Sequence, residues 1–181
     1  MLNTRDQYDE VVKNCKEIFI KKVYDYGTSW RVLRMISIVD QIFIKAQRIR
    51  TIQELQEQRI ADDIAGEFKG MVNYAVIALI QTDKGTSIAE DLPAIEAAEL
   101  YDEKIRVAKE LMQDKNHDYG EAWREMSQES FTDLILVKLL RIKQILIHEG
   151  KTLISEGIEA NFTDIINYSI FALILIAEGK H

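Results

Sequence analysis

The stretch Asn116–Glu125, NHDYGEAWRE, repeats one found ninety-three positions upstream, Val23–Val32, VYDYGTSWRV, with Asp, Tyr, Gly, Trp and Arg at the same spacing. The correspondence extends outward without gaps from Lys16–Ile49 to Lys109–Ile142. It pairs Glu17 with Glu110, Lys22 with Lys115, Ser37 with Ser130, Asp40 with Asp133, Lys45 with Lys138 and Arg48 with Arg141. One inserted residue in the second copy then brings Asn73-Tyr74 onto Asn167-Tyr168. A unit of this size is large for a solenoid repeat and suits a duplicated helical domain whose halves pack about a pseudo-twofold axis. The expected layout is a first repeat over 1–83, a linker over 84–93 and a second repeat over 94–181, packed as one globular unit.

Every long segment carries helical periodicity. Tyr8, Val11, Val12, Cys15, Phe19 and Val23 recur at three- and four-residue steps, which predicts an amphipathic first helix over about 6–24. Ile95, Ala98, Tyr101, Ile105, Ala108 and Met112 repeat the pattern. After each comes DYG, where Gly27 or Gly120 can close the helix in the left-handed conformation and Thr28-Ser29 can cap the next one. Third helices are expected over about 59–81 and 158–177. The sole proline, Pro93, marks the end of the linker and the start of the fourth helix. The expected fold is therefore all-α: about six main helices in two pseudo-twofold-related three-helix repeats.

The chain has 181 residues, 47% of them hydrophobic, so it can bury a full core; its net charge of −7 works against an extended grip on nucleic acid. A single cysteine, read as core, removes any internal disulfide and points to a reducing, cytoplasmic setting. The most apolar run, Tyr168–Ala177, is about half of the roughly 20 residues that span a bilayer, so no membrane partner is expected.

The second helices carry the chemistry. In Asp133–Ile147, DLILVKLLRIKQILI, Lys138 and Arg141 fall within about 140° of Asp133 at ~100° per residue, and apolar residues take almost every other direction. Such a helix is expected to be buried, with Asp133, Lys138 and Arg141 clustered inside or facing a cavity, and Asp40, Lys45 and Arg48 likewise in the first copy. Buried charges need partners, and two readings stand. Carboxylates of the third helices, Glu67, Asp63, Asp164 or Glu159, complete an internal ion-pair network in a non-enzymatic interaction protein. Alternatively, Arg31, Lys45, Arg48, Arg124, Lys138 and Arg141 hold the phosphates of a nucleotide-like anion in a pocket between second and third helices. In that pocket Asn73 and Asn167 would read the ligand, and Trp30, Trp123, Tyr26 and Tyr119 from the repeated corner would line it.

His117, His148 and His181 do not recur and have no ligand spacing, and no phosphate-cradling glycine loop is present. Carboxylate chemistry remains. Asp25, Asp40, Asp118 and Asp133 are the candidates for Mg²⁺-assisted catalysis, and Asp40, Glu67, Asp133 and Asp164 for metal ligation. Glu17, Glu110 and Asp63 are further candidate carboxylates on these helices. A working pocket in one or both halves, and a homodimer, stay open.

The duplicated K-x-x-DYG-x-x-WR, followed by D-x4-K-x2-R and a late Asn-Tyr, resembles the nucleotide-modification-associated domain 1 family, with one copy per repeat. The resemblance implies a role in nucleotide or modified-base metabolism. A looser similarity is to the all-α nucleotide pyrophosphohydrolases of the MazG and dimeric dUTPase type, which implies Mg²⁺-dependent cleavage of a phosphoanhydride. Their ExxE-then-ExxD signature is missing here: Glu54 and Glu57, Glu96 and Glu99, and Glu156 and Glu159 have the first spacing without the second on the next helix. No ligand role is carried across from that family.

Overall fold

A computed structural model describes residues 2–89, 92–153 and 156–181. Among them are six α-helices and two short 3-10 turns. The first repeat comprises α1 (Thr4–Tyr26), α2 (Met35–Leu55) and α3 (Ile64–Lys84), and the second α4 (Ala94–Tyr119), α5 (Gln128–Ile147) and α6 (Ile158–Ala177). Residues 90–91 of the linker lie outside the described residues.

Local chemistry sets the helix ends. Asn3 caps α1 by accepting from the Asp6 amide at 2.9 Å, so the helix begins before residue 6 and runs to Tyr26. Asp63 accepts from the Gly66 amide at 2.6 Å and fixes the start of α3 at Ile64, several residues later than periodicity suggests. Thr28 makes no side-chain cap: its buried hydroxyl accepts from the Leu92 amide at 3.3 Å, and the corner continues as a 3-10 turn over Ser29–Val32. In the second copy Ser127 caps α5.

The halves pack isologously. α3 lies on α6, α2 on α5 and α1 on α4, while α1 reaches α6 as α4 reaches α3, so exchanging the halves maps the packing onto itself. α3 and α6 form the centre. α6 is long and apolar enough to cross a membrane by length and composition, but 78% of its apolar window is buried inside this fold. Counting only the run after Tyr168 understates that helix. Conversely, the expectation of fully buried second helices fails. Val137, Leu140 and Arg141 on α5 and Ile44 on α2 are exposed, because α2 and α5 sit at the edge of the bundle and the central places go to α3 and α6.

Matched polar pairs sew the halves together. Asp40 bonds Lys143 at 3.4 Å and Asp133 bonds Arg50 at 3.4 Å, equivalent contacts across α2 and α5. Lys16–Asp102 at 2.8 Å and Lys109–Asp9 at 2.5 Å do the same across α1 and α4. These are surface pairs of modest worth, roughly 0–1 kcal/mol each. The buried pair of asparagines contributes more. Asn73 donates to the Cys15 carbonyl at 3.0 Å and accepts from the Tyr101 hydroxyl at 2.7 Å. Asn167 donates to the Ala108 carbonyl at 3.0 Å and accepts from the Tyr8 hydroxyl at 2.8 Å. Each asparagine thus joins its own first helix to that of the other repeat. Burial, helped by nearby negative groups, raises both phenols well above their ordinary range, so both hydroxyls stay protonated as donors. Burial likewise pushes the Cys15 thiol up to about 12, an inert core group.

Asn73→Ala and Asn167→Ala each orphan a buried tyrosine hydroxyl and are expected to lower unfolding free energy by about 1–3 kcal/mol in denaturant titrations. Unchanged stability in both would remove these bonds from the account of how the repeats are held.

Candidate functional site

Lys22 and Lys45 converge with their aromatic neighbours on a cleft of ≈ 470 Å³ in the first repeat. The end of α1 supplies Lys22 and Tyr26, the corner supplies Trp30, α2 supplies Lys45, and α3 supplies Gly70 and Tyr74. The DYG turn makes this possible: Gly27 has φ 62, reverses the chain, and brings Trp30 back over α1, where it packs on Phe19 with ring centroids 6.1 Å apart. Lys45 lies 5.9 Å over the Tyr74 ring and bonds Glu67 at 3.4 Å. Glu67 also holds Arg48 at 3.0 Å, and Arg48 is further tied to the Asp62 carbonyl at 2.6 Å. Lys22 has no ion-pair partner among the described residues.

The same ground in the second repeat is occupied. Asp164 stands where the first repeat has Gly70 and bridges two lysines, Oδ1 to Lys115 at 3.0 Å and Oδ2 to Lys138 at 2.9 Å. Partial burial of Lys115 works to lower its pKa, but the hydrogen bond and charge of Asp164 outweigh this, and the ammonium titrates above its ordinary value. Phe171 stands where the first repeat has Ile77 and stacks on Trp123, with centroids 4.1 Å apart and an interplanar angle of 6°. Arg141 is not bonded to Asp164; with Lys138 it lines an open groove that runs from α5 to Asn161 of α6, and it has no hydrogen-bond or ion-pair partner among the described residues.

The corner arginines do not point cations at a ligand. Arg31 is buried and bonds Gln81 and the Gly85 carbonyl, tying the corner to the end of α3. Gln81 in turn donates to the Arg31 carbonyl at 2.9 Å and the Leu33 carbonyl at 3.0 Å. Arg124 lies over the Trp123 ring at 4.5 Å and bonds Glu178 at 2.9 Å, Thr4 Oγ1 at 2.6 Å and Gln7 Oε1 at 2.6 Å. Both arginines are structural ties, as are Asn73 and Asn167, whose amides each donate one bond and accept one in the core; Asn73 also borders the cleft.

The carboxylates disperse. Asp25 and Asp118 are exposed, and Asp118 contacts His117 Nδ1 at 3.1 Å. Asp40 and Asp133 sit on the surface in the pairs that join α2 and α5, Glu67 serves Lys45 and Arg48, and Asp164 serves Lys115 and Lys138. Among the described residues no three histidine, cysteine or acidic side chains gather into a ready-made metal site. Tyr26 and Tyr119 are largely exposed, at 65% and 72%, and of the two only Tyr26 borders the cleft. The Gly70/Asp164 difference is legible in the aligned repeats, but the lysines beside these positions come from other helices and are brought there only by the fold.

The family described as nucleotide modification associated domain 1 has a model that matches residues 22–82 and again residues 115–176, about two thirds of the chain. Each match opens on a cleft lysine, Lys22 or Lys115, and each covers a corner, a second helix and most of a third. No curated protein and no solved structure matches the chain.

The Arg124 tie carries a pH signature. Hydrogen bonding from Gln7, then from Lys180 and Arg124, holds the Glu178 carboxyl below its ordinary value of 4.5 against the opposing effect of burial. The unfolded state therefore takes up this proton first, and the stability from Glu178 is full above pH 4.5 and lost as pH falls through the lower folded value. Acid titration of Glu178→Gln should show a shallower loss of stability below that pH than the parent; parallel curves would contradict this role.

Proposed function

The chain belongs to the nucleotide modification associated domain 1 family, and from that premise and the first-repeat cleft we propose that it binds a small nucleotide-type anion between Lys22 and Lys45. The observation that carries the reading is an unpaired lysine beside a second lysine in a cleft walled by Tyr26, Trp30 and Tyr74. Cations and flat aromatic faces are the two surfaces that a phosphate-bearing heterocycle needs. The volume of ≈ 470 Å³ is in the ordinary range for small-molecule pockets. The reading is one of binding: Asp40, Glu67, Asp133 and Asp164 each face cations, and Asp25 and Asp118 stand apart from them on the surface. Mg²⁺ enters this reading only as a companion of a polyphosphate ligand.

A second reading, a non-enzymatic assembly protein, draws on the structural use of Asp40, Asp133, Arg31 and Arg124 and on the exposure of Ile44 and Val137 at equivalent positions of the two repeats. It expects self-association in sedimentation and indifference to nucleotides.

Melting curves with nucleoside mono-, di- and triphosphates, with and without Mg²⁺, separate the two. A ligand at a hundredfold excess over Kd adds about 2.7 kcal/mol of native stability. Lys22→Met, at an exposed position, is expected to abolish that shift while leaving unliganded stability within about 0.5 kcal/mol of the parent. Absence of a shift with every nucleotide sinks the binding reading.

A further inference from the structure

We propose that the ligand's anionic end is a single phosphoryl group seated on Gly70 between Lys22 and Lys45, and that the second repeat holds the same seat permanently filled by Asp164. The proposal rests on the reading of the first-repeat cleft as a ligand site and specifies what that site accepts.

Asp164 shows what two such lysines take up when an anion is at hand. Its carboxylate gives one oxygen to each, at 3.0 Å to Lys115 and 2.9 Å to Lys138. A phosphoryl group presents two oxygens in the same way. At the equivalent point of the first repeat there is no side chain at all, and the stem of Lys45 lies across the glycine. A Cβ built on Gly70 would stand 2.9 Å from Lys45 Cε and 3.2 Å from Lys45 Nζ. The seat therefore lies against Lys45, borders the same cleft as Lys22, and lacks a built-in anion.

Charge sets how many phosphates fit. In the second repeat Asn161 takes the place of Glu67, so Lys115, Lys138 and Arg141 against Asp164 leave an excess of two cations with the seat already filled. Around Gly70 are Lys22, Lys45 and Arg48 against Glu67, an excess of two. A phosphate monoester carries about −1.5 to −2 at neutral pH, which matches the excess of the first repeat. A triphosphate would bring its remaining charge next to Glu67 with no further cation to meet it. The walls agree with a single working seat: half-buried Trp30 borders the open cleft with Ile77 in the first repeat, whereas Phe171 stacks on the buried Trp123 in the second.

The test is an exchange of the two positions, read by calorimetric titration and by melting, with inorganic phosphate and nucleoside mono- and triphosphates as probes. The parent is expected to bind one monophosphate per chain, more tightly than the triphosphate. Gly70→Asp moves only the flexible end of Lys45; it should melt at or above the unliganded parent and bind monophosphate about tenfold more weakly or worse. Asp164→Asn, which keeps the shape and removes the charge, should melt lower and be restored in part by phosphate. Undiminished monophosphate binding by Gly70→Asp, or melting of that variant below the parent, overturns the seat while the cleft reading stands. A parent that prefers triphosphate overturns the single-phosphoryl assignment. A parent silent to all probes removes the cleft reading and the seat together.

Discussion

The buried bonds from Asn73 to Tyr101 and from Asn167 to Tyr8 are the constraint on which the rest of the molecule depends. An amide in an apolar core is costly unless both its ends are satisfied, and here one end takes a carbonyl of its own first helix and the other takes a hydroxyl from across the pseudo-twofold. A hydrophobic contact tolerates sliding by an ångström or two; this arrangement does not. With α3 and α6 held in register, the first helices end at fixed places, the DYG turns follow, and the lysines at the ends of α1 and α4 arrive opposite those on α2 and α5.

The repeated peptide thus has two jobs divided among its residues. Gly27 and Gly120 reverse the chain, Arg31 and Arg124 anchor the corner to the far ends of α3 and α6, and Trp30 and Trp123 close one wall. Lys22 and Lys115, just upstream, are what the corner delivers. Duplication of the peptide follows from duplication of the fold. Duplication of ligand binding does not follow from it, because one changed residue on a neighbouring helix is enough to fill a seat.

Much of the fold is legible in the sequence: the all-α class, the six helices and their division into two three-helix repeats all survive in the structure. The site is less so. A helical wheel places Asp133, Lys138 and Arg141 on one arc, but it cannot say which part of that arc meets α6. Lys138 does, Arg141 borders a groove that Lys138 also lines, and Asp133 reaches Arg50 of the other repeat. Persistence of Asp40, Asp133, Asn73 and Asn167 in both copies carried the sequence argument toward a ligand. Symmetric packing demands the same persistence, since any residue that joins two equivalent halves must appear in each. The more telling signal is the opposite one, Gly70 against Asp164, where the copies disagree at a position that faces paired cations in both.

The segment over 84–93 that joins the halves has a consequence of its own. Two identical subunits on a twofold axis would share one gene, so an aspartate on the central helix would appear at both seats or at neither. Covalent tandem linkage lifts that restriction: each half has its own codon for the position and can drift separately while the common interface is kept. It also makes assembly unimolecular, so the association of the halves does not fall away on dilution as that of an obligate dimer does. The chain has the geometry of a homodimer with the inheritance of a heterodimer.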